Sequence, residues 1–253
     1  MTLKFTCLIL MAAIACPALA QSDATFMPEG SKNITLSATA ALVQRAEGSS
    51  KMRLIVLPSA SVQWSNGIFL EPGSLGMQLS GDGNLRYGPL LHYGVKSQRS
   101  DEPVQKTGLD LQAGGFVNYR LLHNLGLHSR LLYGGSEDNR GVQLSVGTSF
   151  STPITQHQGV SLSVGANLAD QAYMQSYFGV TAQQAQVGHR PQYRAGGGLK
   201  NVYLTGGWNV ELTHKYSLNS GIDVSWLGNT PAASPLTDSN QGTSFYTTLS
   251  YRY

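Results

Sequence analysis

Residues 160–169 read VSLSVGANLA, and apolar side chains alternate with small or polar ones along the whole stretch. The apolar positions are Val160, Leu162, Val164, Ala166 and Leu168. The positions between them carry Ser, Gly, Asn or Ala. A period of two is typical of a β-strand, because successive side chains point to opposite faces. The stretch therefore predicts a strand with one apolar and one polar face.

The same alternation recurs along the chain. It is clearest in residues 34–42, 85–96, 142–150 and 202–212, and it is blurred in residues 51–63. No stretch has the period of an amphipathic helix of three turns. We therefore expect an all-β protein.

The polar faces distinguish a soluble β-sandwich from a membrane barrel. A sandwich usually exposes charged side chains, whereas only 12% of this chain is charged. The alternating segments exceed the ~5–6 residues of an ordinary strand and match the ~9–11 residues of a tilted membrane strand. In lipid, only helices and closed barrels satisfy all backbone hydrogen bonds. We predict an antiparallel transmembrane β-barrel in the cell outer membrane of a Gram-negative bacterium.

We expect about twelve strands, with roughly ten to fourteen possible, because such barrels have even strand numbers. Upward strands are predicted near residues 31–45, 67–71, 85–96, 125–134, 158–169 and 216–228, and downward strands near 51–63, 75–80, 109–120, 141–152, 193–212 and 242–253. The long connections, 97–108, 170–191 and 229–241, then lie outside the cell. If the short pair around Glu71 is one strand or a bent loop, the count falls toward ten.

The N-terminal segment is predicted to be an export signal. Residues 1–20 combine a positive charge at Lys4, an apolar run over 5–15 and a cleavage site between Ala20 and Gln21. The apolar run is too short to span a bilayer as a helix.

The mature chain then divides into a periplasmic tail, residues 21–30, and a barrel domain, residues 31–253. A lipoprotein anchored through Cys16 is an alternative, although the preceding Ala-Ile-Ala lacks the usual leucine. Cys7 and Cys16 are the two cysteines of the chain, and both lie in the signal. The mature protein is therefore predicted to have no disulfide.

Neither charge nor motifs predict enzymatic chemistry. The 17 Lys and Arg residues nearly balance the 14 Asp and Glu residues, which gives no support for nucleic-acid binding. The six histidines form no HExxH motif, and GxSxG and P-loop motifs are absent. A catalytic triad assembled from separate strands stays open, because triads are defined by geometry. We expect no catalytic residue, metal or cofactor.

Several charged residues are predicted to face the barrel lumen. They are Arg86, Lys96, Asp110, Arg120, Arg130, Glu211 and Asp223. We favour pairing of these charges within the lumen, since charges that face lipid cost about 2–4 kcal/mol at the midplane. The alternative is a narrow channel that prefers anions.

The last ten residues, SFYTTLSYRY, form another alternating strand. Phe245, Leu249, Tyr251 and Tyr253 share one face with Thr247. An apolar strand with a terminal aromatic resembles the signal by which the outer-membrane assembly machinery recognises barrels. We therefore predict that these residues are an assembly signal.

Four segments resemble the MltA-interacting protein (MipA/OmpV) family of outer-membrane proteins. They are YMQSYFGVT (173–181), LRYGPLLHYGV (85–95), GGGLKNVYL (196–204) and the terminal LSYRY. The residues that match the family's signature loop are Tyr173, Met174, Gln175, Tyr177, Phe178 and Gly179. A Pro-x-Tyr-Glu-Gly-Ser turn of the family is reduced here to Glu47-Gly48-Ser49, with Gln44 and Ala46 at the Pro and Tyr places.

The resemblance implies a non-enzymatic barrel that acts as a scaffold between a lytic transglycosylase and a peptidoglycan synthase. Other members are implicated in adhesion or in antibiotic and osmotic responses. Further expected partners are outer-membrane lipid, lipopolysaccharide and the assembly machinery. Murein enzymes approach from the periplasm, whereas the strand parity places residues 173–181 outside. We therefore expect the partner contacts in the periplasmic turns and the tail.

Overall fold

A computed structural model of the chain describes residues 27–80, 83–95, 109–134 and 141–253. The predicted signal, its cleavage site at Ala20 and Gln21, most of the tail and Lys96 lie outside these ranges.

Twelve antiparallel strands form a closed barrel, in which each strand pairs with its neighbours in the chain and β1 pairs with β12. The strands are β1 (Lys32–Gln44), β2 (Met52–Trp64), β3 (Ile68–Glu71), β4 (Ser74–Met77), β5 (Leu85–Val95), β6 (Leu109–Leu122), β7 (Leu125–Gly134), β8 (Gly141–Thr155), β9 (Gln158–Ala169), β10 (Gly198–Glu211), β11 (Tyr216–Leu227) and β12 (Gln241–Arg252). The predicted fold class and strand number are confirmed.

The short pair around Glu71 is a true hairpin. β3 and β4 have four residues each and turn at Gly73, whose φ of 83° favours glycine. β2 contacts this hairpin only through Val62 and Gln63 in the ladder. Within the described ranges, the rest of β2 has β1 as its strand partner.

The two strand faces meet different surroundings. Apolar side chains such as Leu162 (51% exposed) point outward, where a membrane supplies the contacts. Small polar side chains point inward and pair across strands, as Ser37 does with Ser250 (2.9 Å) and Thr39 with Thr248 (2.8 Å). The blurred pattern in β2 has a local cause, because inward-facing Ile55 packs in an apolar cluster with Tyr246.

The two ends of the barrel differ. We call the end with short connections the turn end, and the end with long connections the loop end. Three helices lie in the described parts of the loop-end connections: α1 (Gln171–Phe178), α2 (Ala182–Gly188) and α3 (Asn229–Ala232). No helix in the described residues is long and apolar enough to cross a membrane.

One predicted strand boundary was wrong. The strand expected from residue 193 begins at Gly198, and Tyr193 makes only an isolated bridge with Val180. Gly196 and Gly197, which precede the strand, explain the delay. A Cβ on Gly197 would lie 2.8 Å from the backbone nitrogen of Gln171, so the chain here passes close over the start of α1.

Candidate functional site: a plug at the loop end

Side-chain caps define α1 and α2. Asp170 caps α1 by accepting a hydrogen bond from the Tyr173 backbone N–H at 2.8 Å. Thr181 and Gln184 form a reciprocal capping box at the start of α2. Sequence reasoning treated this segment as a loop and missed both helices. The caps were the available signal, since Asp170 and the spacing from Thr181 to Gln184 are helix-start patterns.

Three of the family-signature residues form the buried side of α1. Tyr173 is 4% exposed, Met174 is fully buried and Phe178 is 2% exposed, and they pack with Ala169 and Ala195. The Gln175 side chain accepts a hydrogen bond from the Ala195 backbone N–H at 2.8 Å. The segment is therefore packed structure within a membrane protein, which is why its apolar residues lack the two-residue period.

The aromatic side of α1 lies at the mouth of the barrel, beside β10. The Tyr173 ring centroid is 5.5 Å from Lys200 Nζ on β10. The same side chain lies within electrostatic range of Glu47, in the β1–β2 turn, and of Asp110, on β6. β1 and β6 are not neighbours in the closed order, so Tyr173 lies between two separate parts of the wall. We call α1 with its contacts the plug.

A chain of hydrogen bonds connects the wall to the plug. Ser145 donates to Asn167 at 2.6 Å, and Asn167 donates to Asn201 at 2.7 Å. Asn201 in turn donates to Glu47 Oε1 at 3.0 Å. Lys200 Nζ donates to Glu47 Oε2 at 3.2 Å. The chain passes from β8 through β9 and β10 to the β1–β2 turn.

A β-bulge puts Lys200 in this network. The register of β10 against β9 shifts between Leu199 and Asn201, so Lys200 is the additional residue. Bulges re-aim side chains in this way. Lys200 therefore reaches Glu47 and Tyr173 instead of lipid.

The three residues that remain of the family's first turn all have structural roles. Glu47 accepts the two hydrogen bonds just described. Gly48 has a φ of 80°, and its carbonyl accepts the backbone N–H groups of Asp238 (2.8 Å) and Ser239 (3.0 Å). The Ser49 carbonyl accepts the side chain of Gln44 at 2.7 Å.

The β11–β12 connection closes the plug from a third side. Ser234 Oγ donates to the Phe178 carbonyl at 2.6 Å. The Tyr193 hydroxyl donates to the Thr230 carbonyl at 2.7 Å. Three connections that are distant in sequence are thus joined into one structure.

Burial raises the pKa of both plug tyrosines. For Tyr173 burial is the main cause, and the nearby Glu47 and Asp110 carboxylates raise the pKa further. For Tyr177 burial is again the largest cause, followed by the neighbouring Tyr173. Both phenols therefore stay protonated at neutral pH, and the plug contains no tyrosinate.

The charged residues expected in the lumen lie on two walls. Arg86, Arg120 and Arg130 lie on the inward positions of β5, β6 and β7, respectively. On the other side, Asp223 accepts a hydrogen bond from Thr205 at 2.7 Å, and Glu211 lies 3.7 Å from His157. The three arginines thus share the wall formed by β5, β6 and β7.

Asp110 belongs to the plug rather than to the open lumen. It is 4% exposed and accepts a hydrogen bond from Gln112 at 3.2 Å. Within the described ranges, no group of three or more His, Cys, Asp or Glu could hold a metal ion.

The residues proposed as an assembly signal lie on the outer face of the closing strand. Phe245 and Leu249 are 49% and 44% exposed, and Tyr253 lies just beyond the end of β12. The Tyr251 ring packs against Tyr216 of β11 at 5.0 Å. Recognition of these residues by the assembly machinery stays a prediction.

The family model described as MltA-interacting protein MipA matches residues 36–253. The chain belongs to the MipA family. No match was found among curated protein sequences.

Solved structures with a similar fold are outer-membrane barrels. A bacterial polysaccharide outer membrane secretin is 10% identical, with a TM-score of 0.50 over 90% of this chain and 100% of that one. The NanC porin is 9% identical, with a TM-score of 0.49 over 86% of this chain and 100% of that one. An outer membrane channel from Pseudomonas putida F1 is 12% identical, with a TM-score of 0.47 over 92% and 98%. At these identities the likeness concerns the fold alone.

Proposed function

We propose that this MipA-family barrel is a non-enzymatic outer-membrane scaffold for enzymes that remodel peptidoglycan. The description of the family names an interaction with MltA, and we infer that the corresponding partner here is a lytic transglycosylase. A peptidoglycan synthase is the second proposed partner. Lipid and lipopolysaccharide contact the apolar outer face.

The plug is the observation that carries this proposal. A diffusion channel requires an unobstructed lumen, whereas α1 lies at the loop end within electrostatic range of Glu47 and Asp110, and hydrogen bonds join it to the β9–β10 and β11–β12 connections. This favours an interaction protein over the narrow channel. We expect no resolvable single-channel current from the folded protein in planar bilayers, and a stable current would restore the channel hypothesis.

The turn end offers the surface for a periplasmic partner. With an even number of strands, both chain ends and the short turns face the periplasm in barrels of this kind. Exposed polar residues of both charge signs lie there, among them His157, Glu211 and Lys215. The plug and the signature loop are then on the extracellular side, so we assign them a structural role rather than the enzyme contact.

Site-specific photo-crosslinking in cells tests the proposal. A crosslinker at exposed His214 of the turn end is expected to capture a lytic transglycosylase or a peptidoglycan synthase, and one at exposed Gln183 of α2 is the matched control. Capture from residue 183 alone would reverse the proposed orientation. Capture of neither enzyme from either position would reject the scaffold.

Orientation has its own test. The mature chain is predicted to lack cysteine, so Gln183→Cys introduces a unique thiol. We expect an impermeant thiol reagent to label it on intact cells, and labelling only after the outer membrane is opened would contradict the topology.

A further inference from the structure

A cleft opens beside α1 at the loop end of the barrel. Its volume is about 690 Å³, which lies within the roughly 300–1,000 Å³ of small-molecule sites. Three segments line it: α1 with its cap, the link from α1 into α2, and residues 192–194 of the β9–β10 connection. The lining side chains of Ala172, Val180 and Ala182 are small and leave the space open. We call it the loop-end cleft.

Hydrogen bonds within the protein hold the walls of this cleft in place. Val180 and Tyr193 form an isolated bridge, in which each backbone N–H donates to the carbonyl of the other residue, at 2.8 Å and 2.9 Å. The Gln175 side chain, which lines the cleft, accepts the Ala195 backbone N–H at 2.8 Å. The Tyr193 hydroxyl donates to the Thr230 carbonyl. The cleft is therefore formed before a ligand arrives, as small-molecule sites usually are.

Two opposite charges line the cleft without pairing with each other. Asp170 is half-buried at the start of α1, and Arg194 is exposed on the β9–β10 connection. Oδ1 of Asp170 accepts the Tyr173 N–H, but within the described ranges neither Oδ2 nor the Arg194 guanidinium has a hydrogen bond or an ion pair. Glu47 and Lys200 of the plug, by contrast, pair at 3.2 Å. The cleft thus offers one anionic acceptor and one cationic donor to a ligand.

The remaining lining indicates which ligand charge fits. Among the described residues that line the cleft, Asp170 and Arg194 are the charged ones, and Gln171 and Gln192 add exposed amide groups. An anionic ligand would be repelled by the Asp170 carboxylate, and a cationic ligand would be repelled by the Arg194 guanidinium. A molecule that carries both charges complements both sides of the cleft.

We propose that the loop-end cleft binds a small zwitterion, namely an amino acid with an apolar side chain. The ligand ammonium donates to the Asp170 carboxylate, and the ligand carboxylate accepts paired hydrogen bonds from the Arg194 guanidinium. The apolar side chain packs on Ala172, Val180 and Tyr193. The site does not depend on the proposed scaffold function, and either can fail without the other.

Three fluorinated probes that share one aromatic body separate the two charges. They are 4-fluorophenylalanine, 2-(4-fluorophenyl)ethylamine, which lacks the carboxylate, and 3-(4-fluorophenyl)propanoate, which lacks the ammonium group. Fluorine NMR follows their binding to the folded protein in detergent micelles, with empty micelles as the blank. We expect the amino acid to bind roughly tenfold more tightly than either other probe, because each of these loses one charge-assisted contact. Absent binding of the amino acid, or equal binding of the amino acid and either other probe, would overturn the proposal.

Variants of the two charged residues locate the site. Arg194→Gln should lower the affinity for 4-fluorophenylalanine to that of the amine, and Arg194→Lys should lower it less. Asp170→Asn should lower the affinity to that of the propanoate. Asn caps helices about as well as Asp, so α1 stays formed in this variant, and wild-type hydrogen exchange of the α1 amides checks that it does.

The matched controls make the same changes at loop-end residues that do not line the cleft. Arg190→Gln changes a residue that donates to the Pro235 carbonyl at 3.4 Å, and Asp238→Asn changes an exposed residue of the β11–β12 connection. Both should leave the affinity for 4-fluorophenylalanine unchanged, and heat-modifiable migration on gels checks that each barrel is folded. Unchanged affinity in Arg194→Gln or Asp170→Asn, or an equal loss in the matching control, would show that the cleft is not the binding site.

Discussion

Replacing Glu47 with Gln should loosen the plug while leaving the barrel intact. Glu47 accepts hydrogen bonds from Lys200 at 3.2 Å and from Asn201 at 3.0 Å. The Lys200 side chain is only 12% exposed, so loss of the carboxylate leaves a largely buried ammonium group without its anion. The amide oxygen introduced by Glu47→Gln still accepts one hydrogen bond, but the amide NH₂ group then faces the other donor, Lys200 or Asn201.

The magnitude follows from burial. Breaking a fully buried ion pair costs about 3–5 kcal/mol. Because the Glu47 side chain is 32% exposed, solvent screens part of the pair. We expect Glu47→Gln to destabilise the closed plug by about 2 kcal/mol. This raises the population of the open plug roughly 30-fold, since every 1.4 kcal/mol changes an equilibrium constant tenfold.

Hydrogen exchange measures this directly. The amides of α1 should exchange roughly 30-fold faster in Glu47→Gln, while amides of the β8–β9 ladder keep their protection. Glu211→Gln is the matched control, because the same chemical change is made at an exposed site 3.7 Å from His157, at the turn end. Adding Lys200→Met to Glu47→Gln should restore part of the protection, since it removes the unpaired charge. Wild-type exchange of α1 in Glu47→Gln, or an equal effect of Glu211→Gln, would refute this account of the plug.

Three further predictions concern the plug and the wall. Alkaline pH should loosen the plug. Burial raises the pKa values of Tyr173 and Tyr177 above the value of about 10 that they have in the unfolded chain. The stability that the two phenols contribute is therefore complete below the unfolded pKa and is lost as pH rises through the folded pKa values. Near-ultraviolet circular dichroism should report this loss, with a smaller change in Tyr173→Phe. Ser234→Ala removes the donor to the Phe178 carbonyl, and loss of this hydrogen bond costs about 1 kcal/mol, so hydrogen exchange of the α1 amides should speed up about fivefold. The control Ser239→Ala should leave this exchange unchanged. Gly165→Ala places a Cβ 2.5 Å from the Val146 carbonyl and against the Tyr203 hydroxyl, and should cost about 1–3 kcal/mol in urea unfolding. Gly206→Ala, with its closest contact at 3.6 Å, should be nearly neutral, and equal costs would contradict the packing described here.

Most of the wall could be predicted from the sequence. The two-residue period, the segment lengths and the glycine-containing turns are local signals, and they gave twelve strands with boundaries close to those observed. The inward placement of Arg86 and Arg130 followed from the same period. The missed features lie in the connections, where α1 and α2 were read as a loop despite the caps at Asp170 and Thr181.

The sequence by itself determined the barrel, because alternation along a strand is set by residues next to one another. Only the tertiary structure decided what fills the mouth. Glu47 and Lys200 are 153 residues apart, and they meet because barrel closure brings β1 and β10 to the same end and a bulge turns Lys200 inward.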